Sequence, residues 1–447
     1  MLLKIATKWQ STIAFTIAFS LSAAASLNTL RYIRYGYLAP AKQSDFGVYY
    51  VASNLVRLHL SSQLYTDAGT GVDPQQRFAS DSSVFGQTAR TKGIPRVKLY
   101  VYPPFLADLL LPLANLSLPV AYWIWRCLNL FAVVISAAVI SKLLGFKLLS
   151  RPSIIAQAGL FCFSPLWQGL HYGQITMVLL ALWSAGILLY SKGWRRTSAL
   201  LLSIAALLKV TPLLVVVPIL IWRDWRWIRW FTTGLVAGCL WICCLNSCST
   251  LLFYFTHVVP PMSAGIVTRA NKSIYSALGM IWWKGLDYPG MIVPHFVVLL
   301  GKLLCIILVG AAALLTNRLG RVLRATDQAT VLAAFALLSL CISPVTWLDS
   351  LVIGYILLAL LWQRMLGGTH PFSRLLLLFA TTASIGSILA IGDDRFTLLQ
   401  YTPLVLSIIL VLVVIGDLFT NPLYANHPRP GHPAGDTRIV APLGGAK

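Results

Sequence analysis

The stretch Ser44-Asp45-Phe46-Gly47-Val48-Tyr49-Tyr50 sets a carboxylate among aromatic rings, in a chain with only 13 acidic residues. It follows directly on the first hydrophobic segment, which places it at a membrane surface. A carboxylate in a semi-apolar site at such a boundary is a candidate general base. Asp also caps helices, and Asp45 opens a stretch of helical periodicity, so a capping role stands beside the catalytic one.

Further polar motifs interrupt the apolar pattern: Tyr100-Val101-Tyr102-Pro103-Pro104, His171-Tyr172-Gly173-Gln174, Lys209-Val210-Thr211-Pro212, Arg269-Ala270-Asn271-Lys272-Ser273, and Ser343 to Asp349. Each has a plain structural reading. The Tyr-Pro-Pro run can simply start a helix, and His171 with Gln174 can be an ordinary interfacial pair. Lys209 can snorkel to a headgroup, although the Thr-Pro break beside it also suits a bound anion. Arg269 and Asn271 offer a cation and an amide, and Asp349 a second carboxylate. Asp67, Asp73, Asp81, Asp393 and Asp394 read as solvated loop.

The elements that must position these residues are membrane helices. The chain is 57% hydrophobic and 11% charged, with a mean hydropathy of +0.76 over 447 residues. No soluble chain of this length can bury so much apolar surface, so it reads as an all-α polytopic membrane protein. The net charge of +22 lies mostly in short loops, where Lys and Arg orient helices and meet the headgroups of membrane lipids. With no nucleic-acid module in view, nucleic acid is not an expected partner. The eight cysteines lie within or at the ends of apolar segments, none with a His at metal-ligand spacing. The run Cys239 to Cys248 reads as small residues on a helix.

A span needs about 20 apolar residues, and the basic loops then assign the sides, giving about twelve spans with both termini cytoplasmic. The first span covers 11–30 and reads as uncleaved. A polar segment, 31–118, forms a large first outer loop, with a helix at 45–60 and a short interfacial helix at 104–116. Spans follow at 119–140, from 153 to the Ser164-Pro165 turn, 174–190, 197–222 split at Lys209-Pro212, 230–248, 291–315, 328–343, 350–363, 374–391 and 400–418. Residues 1–420 form one transmembrane domain, and 421–447, rich in Pro and Gly, a disordered cytoplasmic tail. In this arrangement every unusual polar motif falls on the outer face, as an interfacial catalyst requires. A transporter would place such groups near the midplane, on broken and often repeated helices.

The order Asp-Phe-x-x-Tyr-Tyr-x-Ala, Leu-Tyr, Tyr-Pro-Pro, Gly-Gln, Lys-Val-Thr-Pro, Asn-x-Ser and Ser-Pro-x-x-Trp, over residues 40 to 350, resembles the family 87 glycosyltransferases of the GT-C type. These are similar to the bacterial polyprenyl-phosphate-mannose-dependent mannosyltransferases. The resemblance implies a polyprenyl-phosphate sugar donor, a lipid or glycan acceptor, transfer on the periplasmic side of the bacterial plasma membrane, and a catalytic Asp that maps onto Asp45. The chain departs from the pattern after Ser-Pro-x-x-Trp, where these proteins commonly carry His and this one has Leu348-Asp349-Ser350.

Together these readings make Asp45 the base for an inverting displacement. Lys209, Arg269, His171 and Gln174 are candidates for the donor phosphate. Tyr49, Tyr50, Tyr100, Tyr102, Asn271 and Asp349 are candidates for contacts to sugar and acceptor. No metal or other cofactor is expected, since a phosphate leaves without a general acid and no acidic cluster is evident. A lipid or sugar transporter, or flippase, of the cell envelope is the alternative, and an inactive assembly partner a further one.

Overall fold

A computed structural model describes residues 41–42, 44–65, 78–161, 163–263, 265–268, 271–283, 294–319 and 324–366, together with Ile408 and Val411. The expected spans at 11–30, 374–391 and 400–418, the tail at 421–447, and Arg269 lie outside the described residues, apart from Ile408 and Val411. Among the described residues every regular element is helical. Extended chain pairs only in two isolated bridges, Phe78 with Lys98 and Asn271 with Trp347.

Leu118–Leu143, Trp225–Leu245, His295–Leu319 and Ala325–Ile342 are each long and apolar enough to cross a membrane. Their outward faces are those of lipid-exposed helices. Phe131 and Val134 on the first, and Leu299 and Ile306 on the third, are each more than half exposed, which water would penalise and lipid does not. Ala325–Ile342 is the exception, because nearly all of its side chains are buried. Its Ala-rich sequence lets neighbours approach closely, and it forms the centre of the bundle.

Shorter apolar helices complete the bundle at Thr176–Ser191, Thr211–Ile221 and Leu348–Gln363. Thr176–Ser191 leads away from Gln174, and Arg195–Leu208 returns antiparallel to it, with the Ser198 hydroxyl donating to Gly186 O at 2.8 Å. The break expected at Lys209-Pro212 is present. Arg195–Leu208 ends at Lys209, whose backbone is extended, and a 3-10 turn restarts the chain at Thr211. The basic end of this hairpin is closed by an ion pair between Arg195 and Asp224 at 2.9 Å.

Other expectations are corrected. The helix leaving from 153, Arg151–Phe161, stops ahead of the expected Ser164-Pro165 turn, but the chain restarts there as a further helix, Ser164–Tyr172, with Pro165 in its first turn. The interfacial helix at 104–116 is likewise two pieces, Pro104–Leu109 and Leu111–Ala114, with Pro112 at the restart. Ser44, not Asp45, occupies the N-cap of Asp45–Arg57, and its side chain makes no capping hydrogen bond. Cys243 and Cys248 are joined in a disulfide. A straight helix would hold residues five apart on different faces, but Trp225–Leu245 ends at Asn246 and the chain folds back.

Candidate active site

Asp45 is the first residue of Asp45–Arg57, a helix whose side chains are buried from Asp45 to Val56. Phe46 locks it to the Leu118–Leu143 helix by stacking on Trp125 at 5.8 Å. The carboxylate of Asp45 thus emerges from a fixed element. One oxygen, Oδ1, takes a hydrogen bond from Lys98 Nζ at 2.5 Å, and the other takes one from the Gln174 side-chain amide. Lys98 is brought there by the short pairing of its backbone with Phe78.

Gln174 owes its place to Gly173. The Ser164–Tyr172 helix ends with Gly173 at φ 65°, a left-handed conformation that a side chain would strain. Trp125 Nε1 donates to Gly173 O at 2.7 Å and fixes the turn to the neighbouring helix. The carbonyl Oε1 of Gln174 then accepts from Tyr49 Oη at 3.1 Å and from Tyr102 Oη at 3.2 Å. Burial above all, with the Asp45 charge adding to it, pushes both phenols well above the usual tyrosine range. They therefore stay protonated and serve as donors. Since Oε1 takes two donors, the amide nitrogen must face Asp45, and this fixes the orientation of Gln174.

These groups form one wall of a cavity of about 410 Å³. Asp349, Trp347, His257 and Met262 also line it. Asp349 Oδ2 is buried without a hydrogen-bond partner, although a carboxylate oxygen can accept two. Lys209 lies behind it, donating to Ser350 Oγ at 3.0 Å and within electrostatic reach of Asp349. Among the described residues no three or more His, Cys, Asp or Glu side chains converge as metal ligands do.

Of the residues singled out in the sequence, Asp45, Tyr102, Gln174 and Asp349 meet at the cavity. Tyr49 touches it through Gln174. Tyr50 and Tyr100 are turned to the protein, donating to Leu116 O at 2.7 Å and Pro103 O at 2.8 Å. The His171 ring packs edge-on to Tyr172, and its carbonyl accepts from Arg126 at 2.6 Å. Asn271 is wholly buried and engaged with main chain. Its amide donates to Ile266 O and Pro344 O, and its oxygen accepts from the Thr346 and Ser273 amides. Sequence reasoning missed Lys98, Tyr172, His257 and Trp347. Trp347 carries the signal most open to reading, since it closes the Ser343-Pro344-x-x-Trp347 motif.

The sequence profile of glycosyltransferase family 87 matches residues 100–344, more than half of the chain. The chain belongs to glycosyltransferase family 87. No curated protein matches it. Membership of glycosyltransferase family 87 makes the chain a transferase with a sugar donor and an acceptor, built on membrane helices. The family 87 match begins at Tyr100, so it takes in Tyr102, Gln174 and Lys209 but not Asp45 or Lys98.

Proposed function

We propose that this family 87 glycosyltransferase moves a hexose, mannose, from a polyprenyl-phosphate sugar to a hydroxyl of a lipid or glycan acceptor on the periplasmic face of a bacterial plasma membrane. It does so on a GT-C framework with both termini cytoplasmic. The observation that carries the reading is Asp45: a carboxylate on a rigid helix, at the wall of a cavity, with both oxygens oriented by donors.

In this mechanism Asp45 takes the proton of the acceptor hydroxyl as that oxygen attacks the anomeric carbon. The carbon–oxygen bond to phosphate breaks, and the electron pair leaves with the polyprenyl phosphate. Attack from the face opposite the leaving group inverts the anomeric configuration. Asp349, a second carboxylate in the cavity lining, accepts from a sugar hydroxyl. Lys209 adds positive charge beside Asp349, Arg269 is a further candidate cation for the phosphate, and His171 and Asn271 support the wall.

Two observations favour the outer face. The basic residues cluster at the Arg195–Asp224 end of the hairpin, away from Gln174 and Lys209. The Cys243–Cys248 disulfide lies next to Asn246, which binds Asp108 of the segment leading out of the cavity wall, and disulfides persist on the oxidising side of a bacterial membrane.

The test is sugar transfer from radiolabelled polyprenyl-phosphate mannose to a membrane-lipid extract, by purified wild type beside Asp45→Asn. Labelled product from wild type, reduced at least about a hundredfold in the variant, is expected. Equal product from both removes Asp45 from the mechanism. Substrate-driven transport by proteoliposomes, with no transfer, would favour a transporter.

A further inference from the structure

The described walls of the cavity carry an unusual charge balance. Two carboxylates, Asp45 and Asp349, face a single permanent cation, Lys98. A donor joined through phosphate brings a further negative charge into this space, and its departure as a monoester adds more. Lys209 stands behind Asp349 and is not part of the described lining. The one lysine or arginine of that lining able to meet the phosphate directly is therefore the one now bound to Asp45.

The two members of this pair differ in freedom. Asp45 is 10% exposed and held at its other oxygen by Gln174, whereas the Lys98 side chain is 48% exposed. Lys98 sits beside the Tyr172 ring, 5.5 Å from its centroid. Its flexible four-carbon stem and three donors can carry the ammonium from Asp45 to a phosphate on the other side of the anomeric carbon.

We infer that Lys98 is the ligand of the donor phosphate, and that donor binding exchanges the ammonium from Asp45 to the phosphate, freeing the Asp45 carboxylate for the acceptor hydroxyl. Without donor, the carboxylate is occupied and the cavity's charge is partly neutralised. With donor, the ammonium meets the charge that grows as the bond to phosphate breaks, so its contact is stronger in the transition state than in the bound substrate. The order of events follows: acceptor is activated only where donor is already present, which protects the site from idle occupation of Asp45. This inference rests on the polyprenyl-phosphate donor proposed above.

The experiment measures binding of labelled polyprenyl monophosphate, the leaving group alone, to the full chain in lipid nanodiscs. Wild type, Lys98→Gln, Lys98→Arg, Asp45→Asn and the Lys98→Gln/Asp45→Asn double variant are compared. Lys98→Gln should weaken binding about tenfold or more, with Lys98→Arg recovering most of the loss, since one charge-assisted hydrogen bond is at stake. Recovery by Arg supports a charge contact over a folding defect. Asp45→Asn should tighten binding severalfold, and that gain should vanish in the double variant, because it exists only through a released Lys98. An equal gain in both backgrounds reports simple repulsion and overturns the exchange. Binding unchanged by Lys98→Gln overturns the inference while leaving the donor class standing. No binding by wild type overturns the donor class and the inference with it.

Discussion

The side-chain amide of Gln174 donates to the carboxylate of Asp45 across 129 residues of sequence. Through that contact the helix that carries the acid and the turn at Gly173 become one rigid body. The acid is aimed, because the same glutamine is held from behind by two phenols.

Removing that aim should slow chemistry more than it weakens binding. Gln174→Leu is expected to lower kcat about ten- to a hundredfold with little change in donor KM, as for other lost positioning contacts. Tyr49→Phe and Tyr102→Phe should each cost less, since either phenol alone still holds Oε1, and the double variant more than the sum. Steady-state transfer kinetics separate these cases. A uniform rise in KM with kcat intact would assign the group to substrate binding instead.

Asp349 and Lys209 should behave as a coupled pair. Asp349→Asn removes a carboxylate charge from the cavity lining and leaves Lys209 with Ser350 alone. Lys209→Met leaves a buried carboxylate without its nearest cation. Each variant should lose transfer by about tenfold or more, and the double variant should lose clearly less than the product of the two, as interacting charges do. A double-variant cycle on kcat/KM checks it; strict multiplicativity would show that the two act independently.

Stability should depend on pH through Asp108. Burial pushes this carboxyl up to about 7, with the Asn246 amide partly opposing the shift. Asp108 Oδ1 accepts from the Asn246 amide, whereas Oδ2 is buried without a partner, a setting that disfavours the charged carboxylate. A raised folded-state value means that the stability this group lends is present below the ordinary aspartate range and is lost as pH rises through about 7. The melting temperature of wild type should therefore fall between about pH 5 and about pH 8, and Asp108→Asn should flatten that slope. Parallel slopes for the two proteins would assign the pH dependence elsewhere.

How much of this was legible in the sequence follows from residue type. In a chain so apolar, Asp45, Gln174, Tyr102 and Asp349 stand out, and all line the cavity. Lys98 does not stand out, because Arg90, Lys92 and Arg96 precede it in the same loop and mask an isolated function behind a basic stretch. Tyr172 was overshadowed by its neighbour His171, whose ring is the one that turns away. The helices at Leu118–Leu143 and His295–Leu319 and the turn at Ser164-Pro165 were plain from the sequence, whereas the break at Leu110 depends on what a single proline does within an apolar run. The Cys243–Cys248 bond was hidden because it depends on a chain reversal that no period reveals.

Asn271 should matter to folding before chemistry. Its four buried hydrogen bonds tie the segment at Ile266 to Pro344 and Thr346. Asn271→Ala leaves those main-chain groups unsatisfied and should cost about 3 kcal/mol of stability. Thermal unfolding in detergent measures this. An unchanged melting temperature with lost transfer would place the Asn271 side chain at the substrate instead.

The clamp that Asn271 makes grips main-chain groups and no side chain beyond its own. Val345 and Trp347, which face the cavity from the same strip of chain, contribute nothing to it through their side chains. Val345, at an open position of the Ser-Pro-x-x-Trp motif, can therefore be exchanged, and with it the shape of the cavity, without disturbing what holds the strip upright. Diversification of sugar recognition and inheritance of the scaffold are separable here, and related chains can drift in specificity while keeping the same architecture.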